Sequence, residues 1–314
     1  MFLSGAERGR VVELSQKRMR KQLERIKPLL ASCTIEVARK GQEALGLLLC
    51  RSYHKKVCVE KADFPGFPAC RISPRNQTPS GRILYLHGGG YTCGGLEYAK
   101  GFGSVLASIT GAEVLCPAYR LAPEHPFPAG LEDGLTAYKS LLEQEGPVVL
   151  CGESAGGGLI YALCLLAKTE GLPLPAGLIG ISPWTDLTAS GSSYETNRDR
   201  DPSITLEQLD FFASCYTTCR DNPLASPLFG DFTDFPPSLL FVGGDEILLD
   251  DSRLLHEKLL ASGCSSTLEI APELWHAYVL YCLKERHMDL DRIAAFCHAN
   301  FCGENNFQIS AKNA

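Results

Sequence analysis

The sequence predicts an α/β fold built on a mostly parallel sheet. Three observations carry this. From residue 82 onward, short apolar runs of strand length alternate with longer segments of helical pattern. The strand-like runs are apolar throughout rather than at every second residue, as in strands covered on both faces. Two of them run straight into glycine-rich turns.

The elements follow in order. "RILYLHGG" reads as a strand from residue 82, and "AEVLCPAY" as another from 112. "LEDGLTAYKSLLEQ" from 131 is a helix. "PVVLCGE" from 147 is a strand, 155–169 a helix, and "AGLIGISP" from 176 a strand. "SLLFVGG" from 238 precedes the helical "DDSRLLHEKLLASG", then come the strand "STLEIAP" and a last helix over 285–301.

Two stretches stand outside this alternation. Residues 187–237 hold one helical pattern, "TLEQLDFFASCYTT", between polar loops, and the first 60 residues precede the sheet pattern. A single domain over 1–314 is expected, capped by about 1–60 and about 187–225, with a loose tail at 303–314. Residues 10–27 predict an amphipathic helix ended by Pro28. Val12, Met19, Leu23 and Ile26 fall on one face, and Lys17, Arg18, Lys21 and Arg25 on the other. Attachment to a membrane surface is one reading of the basic face. A solvated face on a helix packed over the protein is the favoured one, because the apolar stripe lacks Trp and Phe.

Composition narrows the function classes. Of the 314 residues, 45% are hydrophobic and 21% charged, which is ordinary for a globular protein. A chain this long buries roughly 75% of its unfolded surface, so its core needs no staples. The net charge of −6 argues against nucleic acid as the main partner. Fourteen cysteines are present, but Cys116, Cys151 and Cys164 sit inside apolar runs, as small buried hydrophobes do, and no C-x-x-C pair occurs. Reduced thiols and a cytoplasmic location are expected. The N-terminus lacks the apolar core of a signal peptide, and no run reaches the ~18 residues of a membrane span. Stable membrane insertion is therefore not expected, and the sequon at Asn76 carries little weight.

The chemistry concentrates at a few positions. Gly152-Glu153-Ser154-Ala155-Gly156 matches G-x-S-x-G between a strand and a helix. A serine on such a strained turn projects its Oγ above the sheet edge, while small neighbours let strand and helix cross closely. Phosphate binding is the rival reading of a glycine-rich turn. It lacks both G-x-x-x-x-G-K-[ST] and G-x-G-x-x-G. His87-Gly88-Gly89-Gly90-Tyr91 also follows a strand directly. Consecutive glycines suit a place where backbone N–H groups must approach an oxygen that turns negative. Gly88 and Gly89 are the candidate donors, with Ala155 as the third.

A serine nucleophile needs a base, and the base an orienting carboxylate. His276 follows a strand and Asp245 follows another, both at the carboxyl edge of the sheet. His256, His287 and His298 belong to helical patterns. Glu246, Asp250 and Asp251 compete for the acid role. Asp245 is favoured as the first acid after its strand, whereas Asp250 and Asp251 read as the start of the next helix.

With these pieces placed, the chain resembles the hormone-sensitive-lipase-like branch of the α/β hydrolases, the bacterial type IV esterases, over about 80–300. "HGGGY", "YRLAPEHPFPAGLED", "GESAGG", "SPWTDLTASG", "SPLFGDFTDFPP", "VGGDEILLDDS" and "WHAY" carry the resemblance. It implies an α/β-hydrolase fold with an eight-stranded, mostly parallel sheet, helices on both faces and a helical cap. It implies Ser154 as nucleophile, His276 as base, Asp245 as its partner, and an oxyanion hole of Gly88, Gly89 and Ala155. Arg120, Glu124 and His125 would tie down a loop. Glu153 stands where the family often has Asp.

The implied function is hydrolysis of short-acyl esters through an acyl-enzyme, without metal or organic cofactor. The partner is a small-molecule ester, and the family also pairs two copies through an exposed last strand. An amidase or peptidase on the same triad and a non-catalytic small-molecule receptor are the alternatives. All three triad residues being present weighs against the receptor.

Overall fold

The structure, a computed structural model, describes residues 15–303. Val12 of the expected amphipathic stripe and residues 304–314 of the expected tail lie outside the described residues. Two helices come first, α1 (Gln16–Ser32) and α2 (Ile35–Tyr53). A hairpin of β1 (Val57–Phe64) and β2 (Phe67–Pro74) leads into β3 (Arg82–Leu86), α3 (Leu96–Thr110), β4 (Glu113–Pro117) and α4 (Ala129–Leu142). Then follow β5 (Val148–Glu153), α5 (Ala155–Thr169), β6 (Gly177–Ile181), and the short α6 (Ser193–Thr196) and α7 (Leu206–Tyr216). The chain closes with β7 (Ser238–Gly243), α8 (Leu249–Ala261), β8 (Ser266–Ala271) and α9 (His287–Phe301).

The eight strands form one sheet in the order β1-β2-β4-β3-β5-β6-β7-β8. β1 pairs with β2, and β2 with β4, antiparallel; all other pairs are parallel. This is the mostly parallel α/β sheet that the apolar runs predict. Alternate residues of each central strand enter different cores, as the two-residue period of a strand requires. Leu84, Leu86, Leu150, Leu178 and Leu240 pack with α4, α5 and α8. Ile83, Tyr85, Cys151, Ile179 and Phe241 pack on the other face with α3 and α9. None of the fourteen cysteines is disulfide-bonded, and Cys116, Cys151 and Cys164 are fully buried.

The sequence reading assigns nothing to the β1–β2 hairpin or to α3. It also ends the first helix at Pro28, whereas α1 continues to Ser32 with Pro28 inside it. Proline forfeits its own bond to the carbonyl four residues back and crowds that carbonyl with its ring, a local cost that a helix held by other contacts can bear. The turns before it are already fixed by burial of Leu23 and by side-chain bonds from Arg20 and Lys27. Lys17, Arg18, Lys21 and Arg25 are exposed.

α1 and the 182–237 segment touch each other. Lys27 Nζ donates to the Asp201 carbonyl at 2.5 Å, and Gln208 Nε2 to the Leu30 carbonyl at 3.1 Å. α7 starts at a capping box in which Thr205 and Gln208 satisfy each other's backbone N–H groups. Phe212 on α7 then reaches the glycine loop after β3.

Candidate active site

Ser154 sits between β5 and α5 with φ +55° and ψ −123°, a conformation that a residue with a side chain rarely adopts. Three bonds over-determine it. Ser154 N donates to the Ile181 carbonyl at 2.9 Å, and the Ser154 carbonyl accepts from Trp184 N at 2.9 Å and Gly158 N at 3.0 Å. A Cβ at Gly156 would lie 2.0 Å from the Leu86 carbonyl oxygen, so only glycine lets α5 begin this close to β3. The residue itself is 8% exposed.

The loop after β3 lies against this turn. His87 is buried, its ring stacks on Tyr119 at 4.3 Å, and Tyr119 Oη donates to the His87 carbonyl at 2.6 Å. Burial pushes the imidazole down to about 4, against a weaker opposing bond to the Gly88 carbonyl. His87 is thus a neutral packing group at neutral pH. Gly88 N donates to Glu153 Oε1 at 2.6 Å, and Tyr85 Oη donates to Glu153 Oε2 at 2.6 Å.

Of the glycines expected to serve the oxyanion, Gly88 is bonded to Glu153. The Gly88 N–H is committed to a carboxylate, so it is not available to a substrate oxygen. The N–H groups of Gly89, Gly90 and Ala155 donate to no acceptor among the described residues. Glu153 anchors the glycine loop to the serine turn. Its burial raises its carboxyl to about 7, while bonds from Tyr85, Gly88 and Tyr98 hold it lower than burial alone would.

The acid and the histidine also come from strand ends. His276 follows β8, and its Nδ1 faces Glu246 Oε1 at 3.4 Å. Glu246 follows β7, and its Oε2 accepts from Ser182 Oγ at 2.8 Å and Gly243 N at 2.9 Å. Ser182 Oγ accepts in turn from Ala277 N at 3.0 Å, which ties the histidine loop to the acid. Burial opposes charge on His276, but the hydrogen bond and negative charge of Glu246 outweigh it, so its pKa lies above the ordinary value.

Asp245 does not occupy the place expected of it. Its Oδ2 accepts from Arg20 Nη1 at 2.8 Å and its Oδ1 from Arg200 Nη2. Both its oxygens are held by guanidinium groups, and it is the next residue, Glu246, that faces the histidine. Asp250 is bonded to Ser192 and Ser193, and Asp251 to the backbone of Thr185 and Asp186.

Ser154, Ser182, Glu246 and His276 thus follow β5, β6, β7 and β8, which are neighbours in the sheet, and the glycine loop follows the adjoining β3. Open α/β sheets place their sites at such carboxyl ends. α2 fastens to the same edge. Arg39 donates to the Thr92 carbonyl at 2.7 Å, the Ala122 carbonyl at 3.0 Å and both oxygens of Glu124. Arg39 holds the Glu124 carboxyl down to about 2. Arg120 binds Asp133 through both its oxygens. Arg120 and Glu124 are therefore loop fasteners, and sequence reasoning missed Arg39, the partner of Glu124, because the pairing spans 85 positions. Ser182 was missed too; its signal is a lone serine directly after a strand.

A cavity of about 220 Å³ lies in the 182–237 segment, lined by Trp184, Leu187, Tyr194, Leu206, Leu209 and others, and none of Ser154, Glu246 and His276 lines it. Among the described residues no cluster of His, Cys, Asp and Glu could hold a metal ion, and no helix is long and apolar enough to cross a membrane.

Known proteins are similar to this chain in sequence and fold. Residues 83–280 match the family of the α/β-hydrolase fold. The chain is 42% identical over 204 residues to an acetyl-hydrolase of Streptomyces hygroscopicus, covering 63% of this chain and 68% of that protein. The crystal structure of an esterase from the bacterial hormone-sensitive lipase family superposes with a TM-score of 0.81 at 32% identity, covering 92% of this chain and all of that one. A hormone-sensitive lipase from a metagenome library superposes at 0.84, with 32% identity over 93% of this chain and all of that one. The chain belongs to the hormone-sensitive-lipase-like esterase family of the α/β-hydrolase fold and is a carboxylic ester hydrolase.

Proposed function

We propose that the protein is a serine carboxylesterase acting on small, short-acyl esters, with Ser154 as nucleophile, His276 as base and Glu246 as the carboxylate that orients it. The observation that carries this reading is the strained φ of Ser154 on a strand-to-helix turn, on the sheet edge that also holds the Glu246–His276 contact. Strain of this kind persists only where the surrounding bonds enforce it, and here it projects a hydroxyl.

His276 takes the proton of Ser154 as Oγ adds to the ester carbonyl. Glu246 accepts from Nδ1, fixes the tautomer and stabilises the imidazolium. The new oxyanion is received by the N–H groups of Gly89, Gly90 and Ala155. The alcohol leaves with the proton from His276, and water, activated by the same base, releases the acid from Ser154. The likeness to an acetyl-hydrolase supports a short acyl group.

The reading is tested with p-nitrophenyl esters graded by acyl length. Turnover highest for acetate to butyrate, and lost in Ser154→Ala, is expected. A preference for acyl chains beyond about ten carbons, or an anilide cleaved as fast as its matching ester, would redirect the assignment.

A further inference from the structure

We propose that Arg20, on α1, is a positioning residue for catalysis: its guanidinium couples the seat of the N-terminal helix to the Glu246–His276 pair. This rests on the reading of Glu246 and His276 given above.

Four parts of the chain meet at this one group. Nη1 donates to Asp245 Oδ2 at 2.8 Å and to the Glu273 carbonyl at 2.7 Å. Nη2 donates to the Arg200 carbonyl at 2.9 Å, and Nε to Glu24 Oε1 at 3.1 Å. Asp245 immediately precedes Glu246, and Glu273 lies three residues before His276. One planar fork therefore spans the loop that carries the acid and the loop that carries the base. The planar fork suits guanidinium, which offers several donors in fixed directions.

Besides Arg20, the loops are joined past the paired strands by a few bonds, the first from Gly244 N to the Ala271 carbonyl at 2.7 Å. Asp245 N donates to the Leu274 carbonyl at 3.0 Å, and Ser182 Oγ links Glu246 to Ala277. The His276–Glu246 contact is long, at 3.4 Å, so a small relative movement of the two loops would break it. Asp245 is 5% exposed, and loss of Arg20 leaves its buried carboxylate with one cation in place of two. Arg200 supplies the second cation from the 182–237 segment. With α1 docked, both loops are held by one group; with α1 lifted, Asp245 keeps only Arg200, and the acid loop keeps the bonds from Asn197 and to Asp201 but loses its tie to the Glu273 carbonyl through Arg20. α1 thus helps to position the Glu246–His276 pair through the neighbours of both residues.

The test measures kcat and KM on p-nitrophenyl butyrate for wild type, Arg20→Ala, Asp245→Asn, Glu246→Gln and the double variant Arg20→Ala/Glu246→Gln, with thermal melting of each. Misplacing reacting groups by about 1 Å costs on the order of 100-fold, so Arg20→Ala is expected to lower kcat by about 10- to 100-fold and change KM by less than about threefold. Because Arg20 acts through Glu246, its removal in the Glu246→Gln background should cost less than about threefold. Asp245→Asn weakens the same pairing from the other side, since it removes the charge and one of the two acceptor oxygens while keeping the side-chain size, and serves if Arg20→Ala folds poorly. Lys17→Ala, which removes an exposed charge from α1, should leave kcat unchanged. Wild-type kcat in both Arg20→Ala and Asp245→Asn, or a fully additive double variant, overturns the inference. Wild-type kcat in Glu246→Gln would instead refute the assignment of Glu246, whatever Arg20 does.

Discussion

The carboxylate of Glu246 lies 3.4 Å from Nδ1 of His276, while its chain neighbour Asp245 is held by Arg20 and Arg200. Two adjacent acids therefore have different contacts: one faces His276, the other holds α1 and the turn that carries Arg200.

The substitution pair Glu246→Gln and Asp245→Asn separates these roles. Loss of the orienting carboxylate in serine hydrolases costs on the order of 10⁴ in kcat. Glu246→Gln should fall by about 10³–10⁴, and Asp245→Asn by roughly tenfold, since it disturbs position rather than charge at the base. Steady-state kinetics on one ester checks both.

The pH profile follows from the direction of the His276 shift. Glu246 raises its pKa, so the free enzyme needs a pH above the ordinary imidazole value of ~6.5 to expose the neutral base. kcat/KM should rise with a midpoint above ~6.5, and the midpoint should move down in Glu246→Gln. A midpoint unmoved by that substitution would separate the two groups.

Glu153 makes a stability prediction. Its folded pKa of about 7 is raised above the ordinary carboxyl value, so between the two the folded state binds the extra proton. This contribution is fully present below the unfolded pKa and is lost as pH rises through about 7. Glu153→Gln, which cannot ionise, should show a flatter fall in Tm between about pH 5 and 8 than wild type. Melting curves across that range decide it.

The glycine loop is testable by one methyl group. Gly90 has φ +61°, and a Cβ there would lie 2.4 Å from the Phe212 ring. Gly90→Ala should lower kcat by 10²-fold or more if its N–H serves the oxyanion, with a destabilisation of about 1–3 kcal/mol from the strained backbone. Full activity with the alanine in place would remove Gly90 from that role.

Much of this was legible in the sequence, for physical reasons that also explain the gaps. Central strands such as Val148–Glu153 are apolar on both faces and stand out, whereas β1 is half polar and lies at the sheet edge. α3 carries Gly101 and Gly103, which weaken its helical signal. Ser154 is marked by its flanking glycines, and His276 by following a strand. Local signals could not separate Asp245 from Glu246, because the arginines that hold Asp245 lie 225 and 45 positions away. Likewise the Gly88 N–H is taken by Glu153, a residue 65 positions on, which the local glycine run does not reveal.

The central claim is that Ser154 is the nucleophile. A fluorophosphonate probe with peptide mapping tests it most directly, read beside turnover of p-nitrophenyl acetate by wild type and Ser154→Ala. The account predicts one equivalent of label on the peptide holding Ser154, activity lost in step with labelling, and no turnover by the variant. Label on another residue, or wild-type turnover by Ser154→Ala, would contradict it.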